Sequence, residues 1–135
     1  MWQGVDRTVF ELHQITPVVP CTSLKSQVIF YRGVLGFRLV FEAETYAFMR
    51  RDKVSIRLQE VRPGVDLGSP DRQQSVYIDV QGLDPLFERL KVPLGNLPKG
   101  RVRVPFAHEL GHREFHVRDE DCTTVIFGET ETSKL

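Results

Sequence analysis

The sequence predicts an α+β fold in which two β-α-β-β-β modules form curved mixed sheets around a concave cleft. One observation is the alternation of apolar and polar residues in 112–118 and 124–129, on either side of an acidic turn. Alternation with a period of two is typical of strands that bury one face. The second observation is that the order strand, helix, strand, strand, strand occurs twice, although the two halves share negligible sequence identity.

The expected organisation is a single domain, because 135 residues is an ordinary length for one. Its predicted parts are an N-terminal extension (1–14), a first module (15–60), a linker with two prolines and two glycines (61–72), a second module (73–129) and a C-terminal tail (130–135). The extension is compatible with a short helix or with an edge strand at Thr8–His13, and it is expected to pack onto the domain.

In the first module, the strand predicted at 15–20 leads into a helix that Thr22 or Ser23 caps. The helix is expected to run to about Val34 and to stop at Gly36, since glycine is common just beyond a helix end. Three strands follow, at 37–42, 46–50 and 53–60. The last of them alternates clearly, with Val54, Ile56 and Leu58 opposed to Ser55, Arg57 and Gln59.

The second module repeats this order. After a strand at 73–80 come a short helix, a loop at 92–100 and a strand at 101–104; the helix carries Leu83, Leu86, Phe87 and Leu90. A loop at 106–111 then leads to the hairpin of the last two strands. In both modules the apolar set is expected to lie under the helix and the opposite set on the concave face.

Charge and composition exclude several classes of function. The chain has 18 basic and 18 acidic residues and no formal net charge, so nothing favours nucleic acid or an anionic membrane as a partner. No apolar run approaches the ~20 residues of a membrane helix. The N-terminus shows no signal-peptide pattern, so a cytoplasmic location is expected. Cys21 and Cys122 form no metal or redox motif and are expected to be free thiols.

Three segments together resemble the vicinal oxygen chelate superfamily, which includes glyoxalase I, extradiol dioxygenases and the bleomycin-resistance proteins. They are Ile15–Pro20, Phe30–Phe37 and Gly111–Asp119, and the resemblance extends from about residue 15 to 129. The Arg-Glu-Phe segment, followed by Asp-x-Asp, is more similar to the bleomycin-resistance branch. Two residues of the last turn depart from the family, because Glu120 stands where Pro is usual and Cys122 where Gly is usual.

The resemblance also implies where catalytic members of the superfamily hold a divalent metal. Aligned on these segments, the four positions are Thr16, Arg57, Ser75 and Ile126. Such an ion needs imidazole nitrogens or carboxylate oxygens, whereas Ile126 has no donor atom and Arg57 carries a fixed positive charge. The expectation is therefore no metal, no cofactor and no metal-dependent isomerase or dioxygenase activity.

The concave set suits a small-molecule pocket, because it mixes apolar, aromatic and hydrogen-bonding groups. The expected ligand-binding residues are Thr16, Arg57, Gln59, Ser75, Tyr77, Glu114 and His116. Arg57 would clamp a carboxylate or phosphate, and Tyr77 would stack on a planar ligand. The plainer alternative is that Arg57 and Glu114 form an ion pair across the cleft.

The histidines are open to more than one interpretation. With Glu114 or Asp79 beside it, His116 could act as a general base or join an unconventional metal site. An isolated histidine more often has a structural or ligand-contacting role. His108 and His112 precede the hairpin, and they either cap the cleft or are ordinary exposed loop residues.

Two classes of function remain. The first is a metal-free protein that holds a planar or amphipathic small molecule unchanged, as bleomycin-resistance proteins hold their drug. Bleomycin itself is not implied, because its known binders are strongly acidic in the groove and this chain is neutral. The alternative is a lyase, isomerase or dioxygenase-like enzyme with a rebuilt or absent metal site, and no residue is singled out as catalytic. A regulatory subunit or sensor is a third option.

The resemblance also implies a homodimer with two clefts. The linker at 61–72 is long enough to allow the two chains to exchange modules.

Overall fold

The computed structural model describes residues 8–130 and confirms the predicted α+β fold, with two four-stranded mixed sheets and one helix packed on each. Its elements are β1 (Val18–Cys21), α1 (Leu24–Gly33), β2 (Arg38–Glu42), β3 (Tyr46–Arg51), β4 (Val54–Glu60), β5 (Ser75–Asp79), α2 (Leu83–Gly95), β6 (Val102–Ala107), β7 (His112–Arg118) and β8 (Thr124–Thr130). A short 3-10 helix, Pro70–Arg72, lies between β4 and β5. Within residues 8–130, neither α1 nor α2 is both long enough and apolar enough to span a lipid bilayer.

The two sheets have the same topology. The first has the strand order β1-β4-β3-β2 and the second β5-β8-β7-β6. In each sheet the first strand of the repeat pairs in parallel with the last, so that Val18 lies opposite Arg57 and Ser75 opposite Thr124. The remaining pairs are antiparallel. The repeat of element order in the sequence therefore corresponds to two equivalent sheets.

The alternating apolar residues face the helices, as the sequence predicts. Every residue of that set is buried in the core or packed against it, namely Val54, Ile56, Leu58, Val76, Ile78, Val80, Phe115, Val117, Val125 and Phe127. Burying a side chain of this size stabilises the fold by about 1.5–3 kcal/mol. Because side chains alternate along a strand, this burial fixes which residues point to the opposite, concave face.

Helix α1 begins where its cap predicts. The Ser23 hydroxyl accepts a hydrogen bond from the backbone N–H of Ser26 at 3.3 Å, which satisfies one of the free donors of the first turn. The helix ends at Gly33, one residue before the predicted end. Gly36 follows with a φ of +76°, and a Cβ there would overlap the guanidinium of Arg51.

Helix α2 is longer than predicted. It runs to Gly95, although the sequence suggested a loop from Val92. Leu90 and Leu94 are both 4% exposed, so the apolar stripe continues for one more turn and outweighs the hydrogen bond that Pro93 removes. At the other end the N-cap residue is Gly82, which has no side chain to cap the helix. Instead the carboxylate of Glu129 accepts from Gly82 N at 2.8 Å and Leu83 N at 2.9 Å, which lowers its pKa.

The chain before β1 differs from the prediction. The strand expected at 15–20 begins only at Val18, because Pro17 lacks an N–H and Ile15 is 98% exposed. Residues 8–14 contain no helix or strand. Phe10 and Leu12 are exposed, so this part of the predicted extension does not pack onto the sheets. Residues 1–7 of the extension and 131–135 of the tail lie outside the described residues.

The turn between β7 and β8 binds α1 and so joins the two halves. The Tyr31 hydroxyl donates to Asp119 Oδ2 at 2.7 Å. Asp121 accepts from the Thr22 hydroxyl at 2.7 Å and from Gln27 Nε2 at 3.0 Å. Inside the turn, the Oδ1 atom of Asp119 accepts from the N–H groups of residues 121 and 123. Burial nevertheless raises the pKa of Asp119 above its ordinary value.

Cys122, in this same turn, has a φ of +71°. That conformation favours glycine, which is the residue usual at this position in the superfamily that the sequence resembles. The non-glycine residue leaves the strand count unchanged, since β7 and β8 both form around the turn.

Candidate functional site

Strand register defines the concave face of the first sheet. One row across the strands consists of Phe41, Phe48, Arg57 and Val18. A second row consists of Arg38, Arg50 and Ser55, and a third pairs Tyr46 with Gln59. This face is therefore aromatic and cationic, with three arginines and three aromatic rings.

Arg57 lies at the centre of this face. Its guanidinium carbon is 4.8 Å from the centroid of the Phe48 ring, and its Nη1 donates to the Tyr46 hydroxyl. The Tyr46 ring lies 6.2 Å from the ring of Phe41, which is 57% exposed. A guanidinium held over one ring and by one hydroxyl retains further donors for an anionic group.

The concave face of the second sheet is different in chemistry. One row consists of Tyr77, Ile126, His116 and Arg103. The adjacent row consists of Asp79, Gly128, Glu114 and Phe106. The result is a surface with a carboxylate, imidazoles and aromatic rings side by side.

Glu114 is the centre of a hydrogen-bond network. Its side chain is 6% exposed, and its two oxygens lie 2.8 Å from His112 Nε2 and 2.8 Å from His116 Nε2. The Tyr77 hydroxyl is also hydrogen-bonded to it. Although burial raises the pKa of Glu114, the hydrogen bonds from His116, Tyr77 and His112 outweigh burial, and the pKa is lowered. Glu114 is therefore a carboxylate held ionised at the base of an open surface.

Tyr77 is placed by a glycine. A Cβ on Gly128 would overlap the Tyr77 hydroxyl and ring, so the absent side chain gives the phenol room to reach Glu114. The Tyr77 residue is still 46% exposed. Burial and the neighbouring Glu114 raise the pKa of Tyr77 to about 12, so the phenol remains a proton donor at neutral pH.

Two histidines belong to this network that the sequence left as loop residues. His112 opens β7 and is half-buried, and its ring stacks on that of His108 with centroids 4.4 Å apart and planes 11° apart. Strand β6 extends to Ala107, beyond the predicted end at 104, so the predicted loop at 106–111 shortens to a tight turn. His112 is therefore a strand residue and not a loop residue, whereas His108 does lie in the turn, half-buried against His112. The signal was present, since positions 112, 114 and 116 alternate and must share one face of β7.

Three of the seven predicted ligand-binding residues come together in the structure, and the other four lie apart from them. Tyr77, Glu114 and His116 come together on the second sheet, while Arg57 lies on the first. Gln59 is exposed on β4 and donates to the Thr45 carbonyl at 3.1 Å. The remaining two are Thr16, which precedes β1 and accepts from Gln14 Nε2 at 3.2 Å, and Ser75, which is exposed at the start of β5.

Arg57 and Glu114 do not form the ion pair that the sequence left open, because no pair between them lies within 4.0 Å among residues 8–130. Each has its own partners instead. A groove of about 290 Å³ has Ser55 from β4 and Tyr77 from β5 among its lining residues. A larger cavity, of about 440 Å³, has Phe37, Val80 and Leu86 in its lining and does not include Arg57, Tyr77 or Glu114.

Solved structures share this fold. A bleomycin-binding protein complexed with bleomycin matches with a TM-score of 0.75 and 23% identity, over 89% of this chain and 100% of that chain. A bleomycin-binding protein from bleomycin-producing Streptomyces verticillus, complexed with copper(II)-bleomycin, matches with a TM-score of 0.73 and 21% identity, over 91% and 100%. A lactoylglutathione lyase from Agrobacterium tumefaciens matches with a TM-score of 0.63 and 17% identity, over 86% and 92%.

The chain therefore has the fold of the vicinal oxygen chelate superfamily, and the predicted resemblance is confirmed at the level of fold. Bleomycin-binding proteins are among the structures that share it, in agreement with the branch that the last strands resemble. No protein-family model matches the chain, and no curated protein matches it in sequence. Fold alone leaves the ligand and the reaction open.

Proposed function

We propose that this protein binds a small planar or amphipathic molecule with an anionic group on its concave sheet faces and releases it unchanged. The proposal rests on one observation, the exposure of anchored aromatic and cationic groups on those faces. Phe41 and Tyr77 are about half exposed, and Arg57 is held between Phe48 and Tyr46. A monomeric protein rarely exposes a large apolar surface unless the surface binds something.

The chemistry of the first sheet favours an anion over a cation. Three arginines, Arg38, Arg50 and Arg57, project from the same face. A guanidinium can form two parallel hydrogen bonds with a carboxylate or phosphate, and a ring beside it can stack on a planar ligand. This face is poorly suited to a large cationic drug, so bleomycin is not the proposed ligand.

The proposal includes the absence of a metal at the four positions that catalytic members of the superfamily use. Arg57 and Ile126 offer no ligand atom to a cation. Thr16 and Ser75 have only neutral hydroxyls. We accordingly propose no cofactor at these four positions.

A second candidate function is an enzyme on the same scaffold, such as a lyase, isomerase or dioxygenase-like protein. The observation that favours it is the 2.8 Å contact between His116 Nε2 and Glu114, which orients an imidazole as a general base requires. Mass spectrometry and NMR spectroscopy of the ligand before and after incubation with the protein separate the two candidates, because an isomerase changes the structure of its ligand without changing the mass. Binding without any change of ligand mass or structure supports the first candidate.

The ligand surface is tested with 8-anilinonaphthalene-1-sulfonate, a planar apolar anion whose fluorescence rises on binding. We expect saturable binding by the native protein. Arg57→Ala and Tyr77→Ala should each weaken it about tenfold, which corresponds to about 1.4 kcal/mol. Arg89→Ala is the matched control, because Arg89 is exposed on α2, and it should bind the dye as the native protein does.

Circular dichroism spectra and melting curves establish that each variant is folded before it is titrated. Native affinity in both Arg57→Ala and Tyr77→Ala would place the binding surface elsewhere. Mass spectrometry of molecules that co-purify with the protein then identifies the natural ligand class, which we expect to be planar and anionic.

We also propose a homodimer with two clefts, in which the concave face of one chain is completed by the other, with or without exchange of modules. The exposed apolar residues on these faces, Val18, Phe41 and Tyr77, support it. Multi-angle light scattering should give twice the mass of 15.5 kDa. A mass of one chain at high protein concentration would reject the dimer and leave the ligand experiment unaffected.

A further inference from the structure

The geometry points to a metal site that the superfamily does not use, formed by His108, His112 and Glu114, which would bind a divalent ion of the zinc type. One ligand atom from each of the three residues can be chosen so that all lie within 4.8 Å of one another. Two imidazoles and one carboxylate are a ligand set that proteins use for Zn²⁺, with a further position left open.

The three residues come from one short stretch of chain. His112 and Glu114 alternate on β7 and share its concave face, and His108 approaches from the turn that joins β6 to β7. Three of the four histidines of the chain lie in or beside this cluster, because His116 contacts Glu114. The site contains none of Thr16, Arg57, Ser75 and Ile126, so it replaces none of those positions.

The spacing of His112 and Glu114 requires only a small movement. His112 Nε2 and Glu114 Oε2 are 2.8 Å apart and hydrogen-bonded. Around a tetrahedral Zn²⁺ with bonds of about 2.0–2.2 Å, two ligand atoms are separated by about 3.3–3.6 Å. An ion would therefore take the place of the proton in this hydrogen bond if the two side chains separate by about 0.5–0.8 Å. The ligand atom of His108 would also move closer, since the three ligand atoms are only known to lie within 4.8 Å of one another.

His108 must give up one hydrogen bond. Its Nδ1 accepts from the backbone N–H of Leu110 at 3.1 Å. If Nδ1 binds the ion, that lone pair is no longer available, and if Nε2 binds, the proton moves to Nδ1, so the bond is lost in either case. The turn can adjust, because Glu109 and Leu110 are exposed.

The surroundings provide an outer set of contacts. The second oxygen of Glu114 lies 2.8 Å from His116 Nε2, and the Tyr77 hydroxyl also binds this carboxylate. Such contacts orient a metal-binding carboxylate and keep it ionised. The charge of Arg103 opposes a cation here, but its guanidinium is held 3.6 Å from the centroid of the Phe106 ring. Without an ion, all buried side-chain polar atoms among residues 8–130 are already hydrogen-bonded, so a purely structural network is the competing explanation.

Titration with Zn²⁺ alone distinguishes the two. The native protein, freed of metal by a chelator and dialysis, is titrated calorimetrically in the presence of a phosphine reductant. We expect one ion per chain with a dissociation constant of about 1 μM or tighter. His108→Ala and His112→Ala should each weaken binding at least tenfold, and His116→Ala should weaken it about tenfold through its contact with Glu114.

Two controls bracket the result. His13→Ala removes the one histidine outside the cluster, which is exposed, and Cys122→Ala removes the half-buried thiol. Both should bind Zn²⁺ as the native protein does. His108→Ala removes a half-buried ring from a turn outside the strands, so it remains informative even if a substitution of the buried Glu114 prevents folding.

Absence of stoichiometric binding, or native affinity in either His108→Ala or His112→Ala, would overturn the three-ligand site. Because the readout uses the metal alone, its failure leaves the proposed binding of a small anionic molecule standing. Conversely, loss of dye binding in Arg57→Ala does not affect the proposed metal site.

Discussion

Replacement of Asp119 by alanine is expected to lower the free energy of unfolding by about 3–4 kcal/mol. Asp119 is 3% exposed and accepts three hydrogen bonds, from the hydroxyl of Tyr31 and from the N–H groups of Asp121 and Thr123. Each buried donor left without an acceptor costs about 1–3 kcal/mol. Tyr31 is only 1% exposed, so water cannot easily replace the carboxylate. Urea unfolding followed by circular dichroism measures the loss.

Two milder variants grade this effect. Tyr31→Phe removes only the hydroxyl donor, and the loss should be about 1–2 kcal/mol. Asp119→Asn keeps an oxygen for the two backbone donors, and its amide can donate to the Tyr31 oxygen, so about 1 kcal/mol is expected. If Asp119→Ala were no worse than Asp119→Asn, the turn would not depend on these hydrogen bonds.

Substitution of Gly128 by alanine is expected to destabilise the protein by about 1–3 kcal/mol and to weaken dye binding about tenfold. The new methyl group would occupy the space of the Tyr77 hydroxyl and ring. Tyr77 is partly exposed, so its ring can swing outward, but it then loses its hydrogen bond to Glu114. Thermal or urea unfolding measures the first effect and fluorescence titration the second.

The matched control is the same change in a chain that lacks the tyrosine. In a Tyr77→Ala background, Gly128→Ala has no ring to displace, so its cost should vanish, and a gain of about 0.4–1 kcal/mol is expected because alanine restricts the unfolded chain. The difference between the two backgrounds gives the coupling energy of the pair. Equal effects in both backgrounds would show that Gly128 does not position Tyr77.

The fold and the faces of its strands were predictable because they depend on local patterns. Alternation in β4 and β7 fixes which side chains are buried, and a shift of one residue would expose Leu58 and Val117. The cap at Ser23 and the glycine at 36 bound α1 for reasons that also act locally. These features need no knowledge of how the two halves meet.

The site was predictable only in part. Tyr77, Glu114 and His116 were placed on one face by alternation, but their contact depends on the empty space over Gly128, which sequence patterns do not reveal. The place of His112 in the network was missed, because the glycine and the polar residues before β7 suggest a longer loop than the short turn that forms there. The extension of α2 past Val92 depends on the burial of Leu94, a tertiary contact that outweighs the preference of Pro93.

The hydrogen bonds between α1 and the β7–β8 turn have a consequence for domain swapping. A swapped dimer would make the same bonds between chains, so they favour neither arrangement in enthalpy. Effective concentration decides instead. Two halves that belong to one chain meet at an effective concentration of about millimolar. The connection between β4 and β5, which tethers them, is anchored by the buried Leu67. At micromolar protein the closed monomeric pairing of the halves is therefore favoured, unless a further surface between chains supplies the missing free energy.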